Sequence, residues 1–131
     1  MKHYDYIKNQ IVKNNFATER SYLGKRWWLI TTLLKKAEED GLKVYDVDLG
    51  SIDLGAMPRR VNNVLQLIDH LYDIKMCKMD YPILVAPTGW VLNGWHRAFK
   101  AIMRGDKTIK AIRFFEMPEE DGDDSEEDSD E

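Results

Sequence analysis

The stretch that decides the fold is Tyr81-Pro82-Ile83-Leu84-Val85-Ala86-Pro87-Thr88-Gly89-Trp90-Val91-Leu92-Asn93-Gly94-Trp95-His96-Arg97-Ala98-Phe99-Lys100-Ala101. Ile83 to Val85 reads as a buried strand, a short apolar run bounded by turn residues. Pro87-Thr88-Gly89 supplies a turn, and Trp90 to Leu92 a short return strand. Asn93-Gly94 then breaks directly into a helix. At about 100° per residue, Trp95, Ala98, Ala101 and Ile102 share one arc of that helix. Arg97, Lys100 and Arg104, with His96 at the edge, occupy the opposite arc. Gly105-Asp106 closes the helix, and Thr108 to Phe115 returns as a strand. A helix opened by glycine directly after a strand has the geometry of a phosphate site. Its first N–H groups and dipole favour an anion, glycine permits close approach, and Arg97 can grip phosphate with both arms of its guanidinium.

Working outward, Val44 to Leu49 reads as a strand with Tyr45, Val47 and Leu49 on one face. Asp46 and Asp48 share the other, read as solvated because no third metal ligand lies nearby in sequence. In Met57-Pro58-Arg59-Arg60, Pro58 suits a helix start, and Val61, Val64, Leu65, Ile68, Leu71 and Tyr72 form the stripe expected to be buried. His70 falls outside that stripe and is expected to be exposed. Further upstream the spacing predicts a helix capped by Thr18, with Leu23, Trp27, Ile30, Leu34 and Ala37 on one stripe and Gly41 in a left-handed terminus. Trp28, about 100° away from Trp27, reads as cover for a neighbouring element or partner, or as a stacking platform for a base. Tyr4, Ile7 and Ile11 also fall at helical spacing.

The 131 residues suffice for one domain, and 44% hydrophobic with 32% charged residues is the balance of a globular protein. No apolar run approaches the ~18 residues of a membrane span. The N-terminus lacks a signal peptide's apolar core, so the expected location is the cytoplasm. A single cysteine, Cys77, excludes an internal disulfide framework and any multi-cysteine metal site, and no metal site is expected. The net charge of −4 conceals an asymmetry: residues 119–131 carry ten carboxylates and no Lys or Arg. Positions 1–118 are left with 19 basic and 13 acidic residues, a body of +6 against a tail of −10. The tail has no apolar residue and its charges repel, which predicts disorder. It reads as a solubility device, as a mask on the chain's own basic face, or as a polyanion that fits the basic groove of a host nucleic-acid-binding protein.

Positions 44–115 resemble the ParB/sulfiredoxin-like family, especially its small phage-encoded members. Tyr81-Pro82-Ile83-Leu84-Val85, Asn93-Gly94-Trp95-His96-Arg97 and Thr108-Ile109-Lys110-Ala111-Ile112-Arg113 carry the likeness, with Pro58-Arg59-Arg60 similar to the family's Pro-Arg segment. The resemblance implies an α+β fold, a small mixed β-sheet with flanking helices over residues 43–118. Residues 1–42 would form an N-terminal helical extension and 119–131 a disordered acidic tail. It implies phosphate or nucleotide binding by Gly94, Trp95, His96, Arg97, Arg59 and Arg60, and contact with DNA, without sequence readout, through Arg97, Lys100 and Arg104. In sulfiredoxins the position of Trp95 is the reactive Cys; an indole cannot form the sulfinyl intermediate, so repair of sulfinic acids is excluded. ParB proteins bind a cytidine nucleotide here, which leaves room for a nucleoside triphosphate with Mg as cofactor. The alternative is an enzyme, a nucleotide-dependent phosphotransferase or nuclease. It would require Asp46, Asp48, Asp53 and His96 to converge in space.

Overall fold

The computed structural model describes residues 20–53 and 61–125. It is a mixed α+β structure, with three helices and two small sheets among the described residues. In chain order these are β1 (Arg20–Leu23), β2 (Arg26–Leu29), α1 (Ile30–Glu39), β3 (Tyr45–Asp48), a 3-10 turn (Leu49–Ser51), α2 (Val64–Met76), β4 (Ile83–Val85), β5 (Val91–Asn93), α3 (Trp95–Met103), β6 (Thr108–Arg113) and β7 (Gly122–Asp123). The central sheet has the order β3-β6-β4-β5; β6 runs parallel to β4, and the outer pairs are antiparallel.

Both faces of that sheet are covered, which is why Ile83-Leu84-Val85 is a continuous apolar run rather than an alternating one. One face carries Ile83, Val85, Val91, Ile109 and Ala111 beneath Ala98 and Ala101 of α3. The other carries Leu84, Leu92, Ile112 and Phe114 beneath Ile30, Leu33, Leu34 and Ala37 of α1, with Trp28 in the same cluster. The expected Ile83–Val85 strand, its turn, the glycine-opened helix and the returning strand are all present. Of the residues sharing one arc of α3, Ala98 and Ala101 are buried, whereas Ile102 is exposed.

The N-terminal part corrects the sequence reading. Residues 20–29 form a hairpin, not the first turns of a helix, and the N-cap of α1 is Leu29; Thr18 lies outside the described residues. The 3.6-residue spacing of Leu23, Trp27 and Ile30 arises by coincidence across a two-residue turn, Gly24-Lys25, where Gly24 has φ 66°. A side chain there would be strained, so glycine fixes the hairpin. Strand alternation then inverts the roles of the two indoles. Trp28, paired with Ser21, points inward, is fully buried and donates to the Pro118 carbonyl at 2.9 Å. It is core, not a base-stacking platform. The helical residues Ile30, Leu34 and Ala37 are buried as expected, and Gly41 ends the helix at φ 63°. Hairpin and helix share one core with the central sheet.

The acidic run is the second correction. Residues 122–123, inside the segment expected to be disordered, form β7 on the free edge of β2. Asp121 N donates to Trp27 O and Asp124 N to Lys25 O, each at 3.0 Å. Gly122 lies flat against the Trp27 indole, where any Cβ would overlap the ring.

The third correction concerns α2. Its N-cap is Asn63, whose side chain accepts from Gln66 N at 2.9 Å, while Gln66 reaches back to Asn62 N at 2.6 Å. This reciprocal capping starts the helix at Val64, so Pro58 does not open it. The stripe Val64, Leu65, Ile68, Leu71 and Tyr72 faces outward, and the residues buried beneath α2 are His70 and Ile74. β3 follows expectation in part: Val47 is buried and Asp46 and Asp48 are solvated, but Tyr45 is exposed and Leu49 belongs to the 3-10 turn.

Candidate nucleic-acid interface

The α3 start is built by Gly94, at φ 99°. A Cβ there would stand 2.6 Å from Ile83 Cγ2, so glycine is required both by the backbone and by the packing of the helix start on β4. The first N–H groups of α3 have no intrahelical acceptor by construction. The side chains around them, however, are engaged with the protein. Arg97 turns back over Gly94: its Nη2 donates to Pro82 O at 3.2 Å and Asn93 Oδ1 at 3.4 Å, and its Cζ lies 5.4 Å from the Tyr81 ring centre. Lys100 Nζ donates to Lys75 O at 2.9 Å and Cys77 O at 2.8 Å, capping the C-terminal carbonyls of α2. Arg104, at the far end, pairs with Asp106 at 3.1 Å. The three cations predicted to form one phosphate-binding face thus have three separate protein partners. Arg59 and Arg60 lie outside the described residues.

Trp95 and His96 belong to an aromatic chain between elements. Trp95 meets Trp90 edge-on at 5.1 Å and Phe99 at 5.8 Å, and Phe99 meets the buried His70 at 6.0 Å. His96 also stands edge-on to His70, at 5.1 Å. These rings join the residue preceding β5 to α3 and α2; Trp90 extends the link to the hairpin by donating to Tyr22 O at 2.9 Å. The groups a catalytic reading needs have their own separate engagements. Asp46 pairs with Lys110 at 2.8 Å, Asp48 accepts from Gly50 N, Asp53 joins its backbone to Gly89, and His96 packs on His70. Among the described residues no group of three His, Cys, Asp or Glu side chains could hold a metal ion. None of the described helices is long and apolar enough to cross a membrane.

A second cationic surface was not foreseen. The hairpin combines basic and aromatic groups on both of its faces, Trp27 on the outer one and the buried Trp28 on the inner. The Arg20 guanidinium lies 3.8 Å from the Trp27 ring centre, Arg26 reaches 5.4 Å from Trp28, and Lys25 sits in the turn. Acidic residues meet this surface. Trp27 Nε1 donates to Asp124 Oδ1 at 3.2 Å, and Leu29 N donates to Asp121 Oδ2 at 2.8 Å. Leu29 is the N-cap of α1, whose first turn has no acid of its own, so Asp121 supplies the anion that the helix dipole favours. Ser125, through side chain and backbone, holds the Asp123 carboxyl below its ordinary range, and the nearby Arg26 and Lys25 add to that effect. Two signals could have revealed this site: the aromatic–basic alternation around Gly24-Lys25, and a glycine, Gly122, set within a run of acids.

Compared with known proteins, the chain matches no family model, no curated protein and no solved structure.

Proposed function

We propose that this protein is a non-catalytic binding module for nucleic-acid phosphates, with the acidic segment acting as a mask in cis. The observation that carries this reading is the seating of Asp121–Asp124 on the hairpin that bears Arg20, Lys25, Arg26 and Trp27. A surface that gathers Arg20, Lys25 and Arg26 around one hairpin suits a phosphate backbone, because guanidinium and ammonium groups neutralise its charge. The acidic strand sets Asp123 in the field of Arg26 and Lys25 and Asp124 on the Trp27 indole N–H, and so competes with phosphate for this face. Of the three readings of the tail, this favours the mask over the solubility device. The third, capture of a host nucleic-acid-binding protein, would fall to the remaining acids of the tail.

The finer assignment, to the ParB/sulfiredoxin-like fold and its phage-encoded members, is part of the same proposal. The order of β4, β5, the Gly94-opened α3 and β6 supports it. In this reading Gly94, Trp95, His96 and Arg97 build the scaffold more than the contact, and Arg104 is the α3 cation best placed to reach a phosphate. Binding of a nucleotide at the α3 start, with Mg, would have to displace Arg97 from Pro82 and Asn93.

The test is affinity for a single-stranded oligonucleotide, measured against salt. The Asp121→Asn/Asp123→Asn/Asp124→Asn variant should bind several-fold more tightly than the parent at low salt, and the gain should shrink as screening shortens the Debye length to about 8 Å. Equal affinities for parent and variant would remove the mask, and absence of binding by both would remove the nucleic-acid reading.

A further inference from the structure

α2 turns its apolar side away from the body. Val64 is 71% exposed, Leu65 68%, Ile68 55% and Tyr72 60%, and Leu71 and Met76 are exposed as well. Plotted around the helix they fill an arc of about 140°, and one charge, Lys75, falls within it. The helix is held from its other side: His70 and Ile74 are its buried residues, and Lys100 Nζ caps its last carbonyls. We infer that the apolar arc is an interface between two copies of this chain, their α2 helices packed antiparallel about a two-fold axis. This goes beyond the phosphate-binding proposal and does not depend on it.

Area is the first argument. At ordinary side-chain sizes, the exposures of these six residues leave on the order of 500–700 Å² of apolar surface in water. A specific interface needs about 1,000 Å² in total, or about 500 Å² from each partner, so two such faces suffice for a weak dimer. The helix also needs the cover. Two buried residues in a 13-residue helix give it little tertiary support, and isolated helices of about 12–15 residues are marginal in water.

Charge selects the partner and its direction. A wholly apolar partner would cover Lys75 without offering it an anion, which is costly. A second copy brings an acid of its own, because Asp69 and Asp73 lie along one edge of the arc. When two α2 helices overlap fully and antiparallel about His70, Val64 stands level with Met76 of the second copy, and Ile68 with its Tyr72. At 1.5 Å rise per residue, Lys75 then lies about 6 Å along the axis from Asp69 of the second copy, within reach of a lysine stem. Two-fold symmetry makes this pair twice. The same symmetry sets the acidic edges of the two copies side by side, where the lysines offset their repulsion. A parallel arrangement would instead bring the two Lys75 side chains to one level in the apolar seam, like charge against like.

The experiment is sedimentation of the full-length chain from micromolar to millimolar concentration, with amide spectra of the same samples. The mass should rise from 15.4 kDa toward twice that value, and the signals of Leu65, Ile68 and Tyr72 should shift with it while those of Asp46 and Asp48 stay in place. Ile68→Asp/Tyr72→Asp should remain at 15.4 kDa throughout, its β4 and α3 signals unmoved. Lys75→Asp alone, a change at an exposed position, should weaken association several-fold, and Asp69→Lys/Lys75→Asp should recover most of the loss. A parent chain that stays monomeric at every concentration overturns the inference, whether the face is then bare or covered from within its own chain. A dimer that survives Ile68→Asp/Tyr72→Asp uses another surface and overturns it equally. Failure of the charge swap to restore association overturns the antiparallel pairing.

Discussion

The chain carries two groups of cations, and they are used in opposite ways. On α3, Arg97 and Lys100 donate to main-chain carbonyls and tie the helix to the Tyr81–Pro82 segment and to the end of α2. On the hairpin, Arg20 and Arg26 lie over indoles, and Arg26 and Lys25 stand near the Asp123 carboxylate of the acidic strand. A cation satisfied by neutral carbonyls organises the backbone and has little charge left to offer a ligand in its bound geometry. One stacked on a ring beside carboxylates can exchange one anion for another. Cation count alone therefore does not locate a phosphate-binding face. The partners of each cation do.

The sharpest way to break this comparison is at the glycine that positions α3. Gly94→Ala places a Cβ against Ile83 at a φ of 99° and should cost about 2–4 kcal/mol, read as a fall in the chemical-denaturation midpoint. Next, Lys100→Met keeps the stem but removes the ammonium from two carbonyls. It should cost about 1.5–3 kcal/mol by the same measurement, with nucleic-acid affinity unchanged at temperatures where the variant is folded. A loss of affinity by a folded Lys100→Met protein would return the interface to α3.

The hairpin cations should behave in the reverse manner. Arg20→Ala/Lys25→Ala/Arg26→Ala should change stability by about 1 kcal/mol or less, because exposed charge contacts contribute little, yet reduce the salt dependence of oligonucleotide binding. Titration gives the smallest effect. Asp123 has its carboxyl held low in the folded state, so its contribution is present above the ordinary carboxylate value of about 3.9 and is lost as pH falls below it through the folded value. Acidification below about pH 4 should loosen β7 from β2. Trp27 fluorescence should report the loosening, and Asp123→Asn should flatten the response.

Much of the centre of the molecule was legible in advance. Ile83-Leu84-Val85, the Pro87–Gly89 turn, Gly94 and the Ala98–Ala101 stripe announce a strand, a hairpin and a helix because each signal is local: apolar runs, turn residues and helical spacing act within a few residues. The solvated Asp46 and Asp48 follow from the same alternation. The errors fall where a local pattern had two solutions. Leu23, Trp27 and Ile30 satisfy a helical period, but Gly24-Lys25 closes a hairpin, and burial of Trp28 against Pro118, ninety residues away, selects it.

What the sequence determined by itself is the mixed α+β architecture, the buried central strands and the glycine-opened helix. Tertiary structure alone decided three things. His70 is buried while Leu65 and Ile68 face outward, because α2 meets the body through His96 and Phe99 rather than through its apolar stripe. Arg97 and Lys100 became structural because the ends of neighbouring elements placed carbonyls within their reach. Asp121 and Asp124 left the solvated run because an unpaired strand edge, a helix N-terminus and an indole N–H lay where they could accept hydrogen bonds. Composition measures what a segment can bury of its own, and it is blind to the donors that a distant segment brings to it.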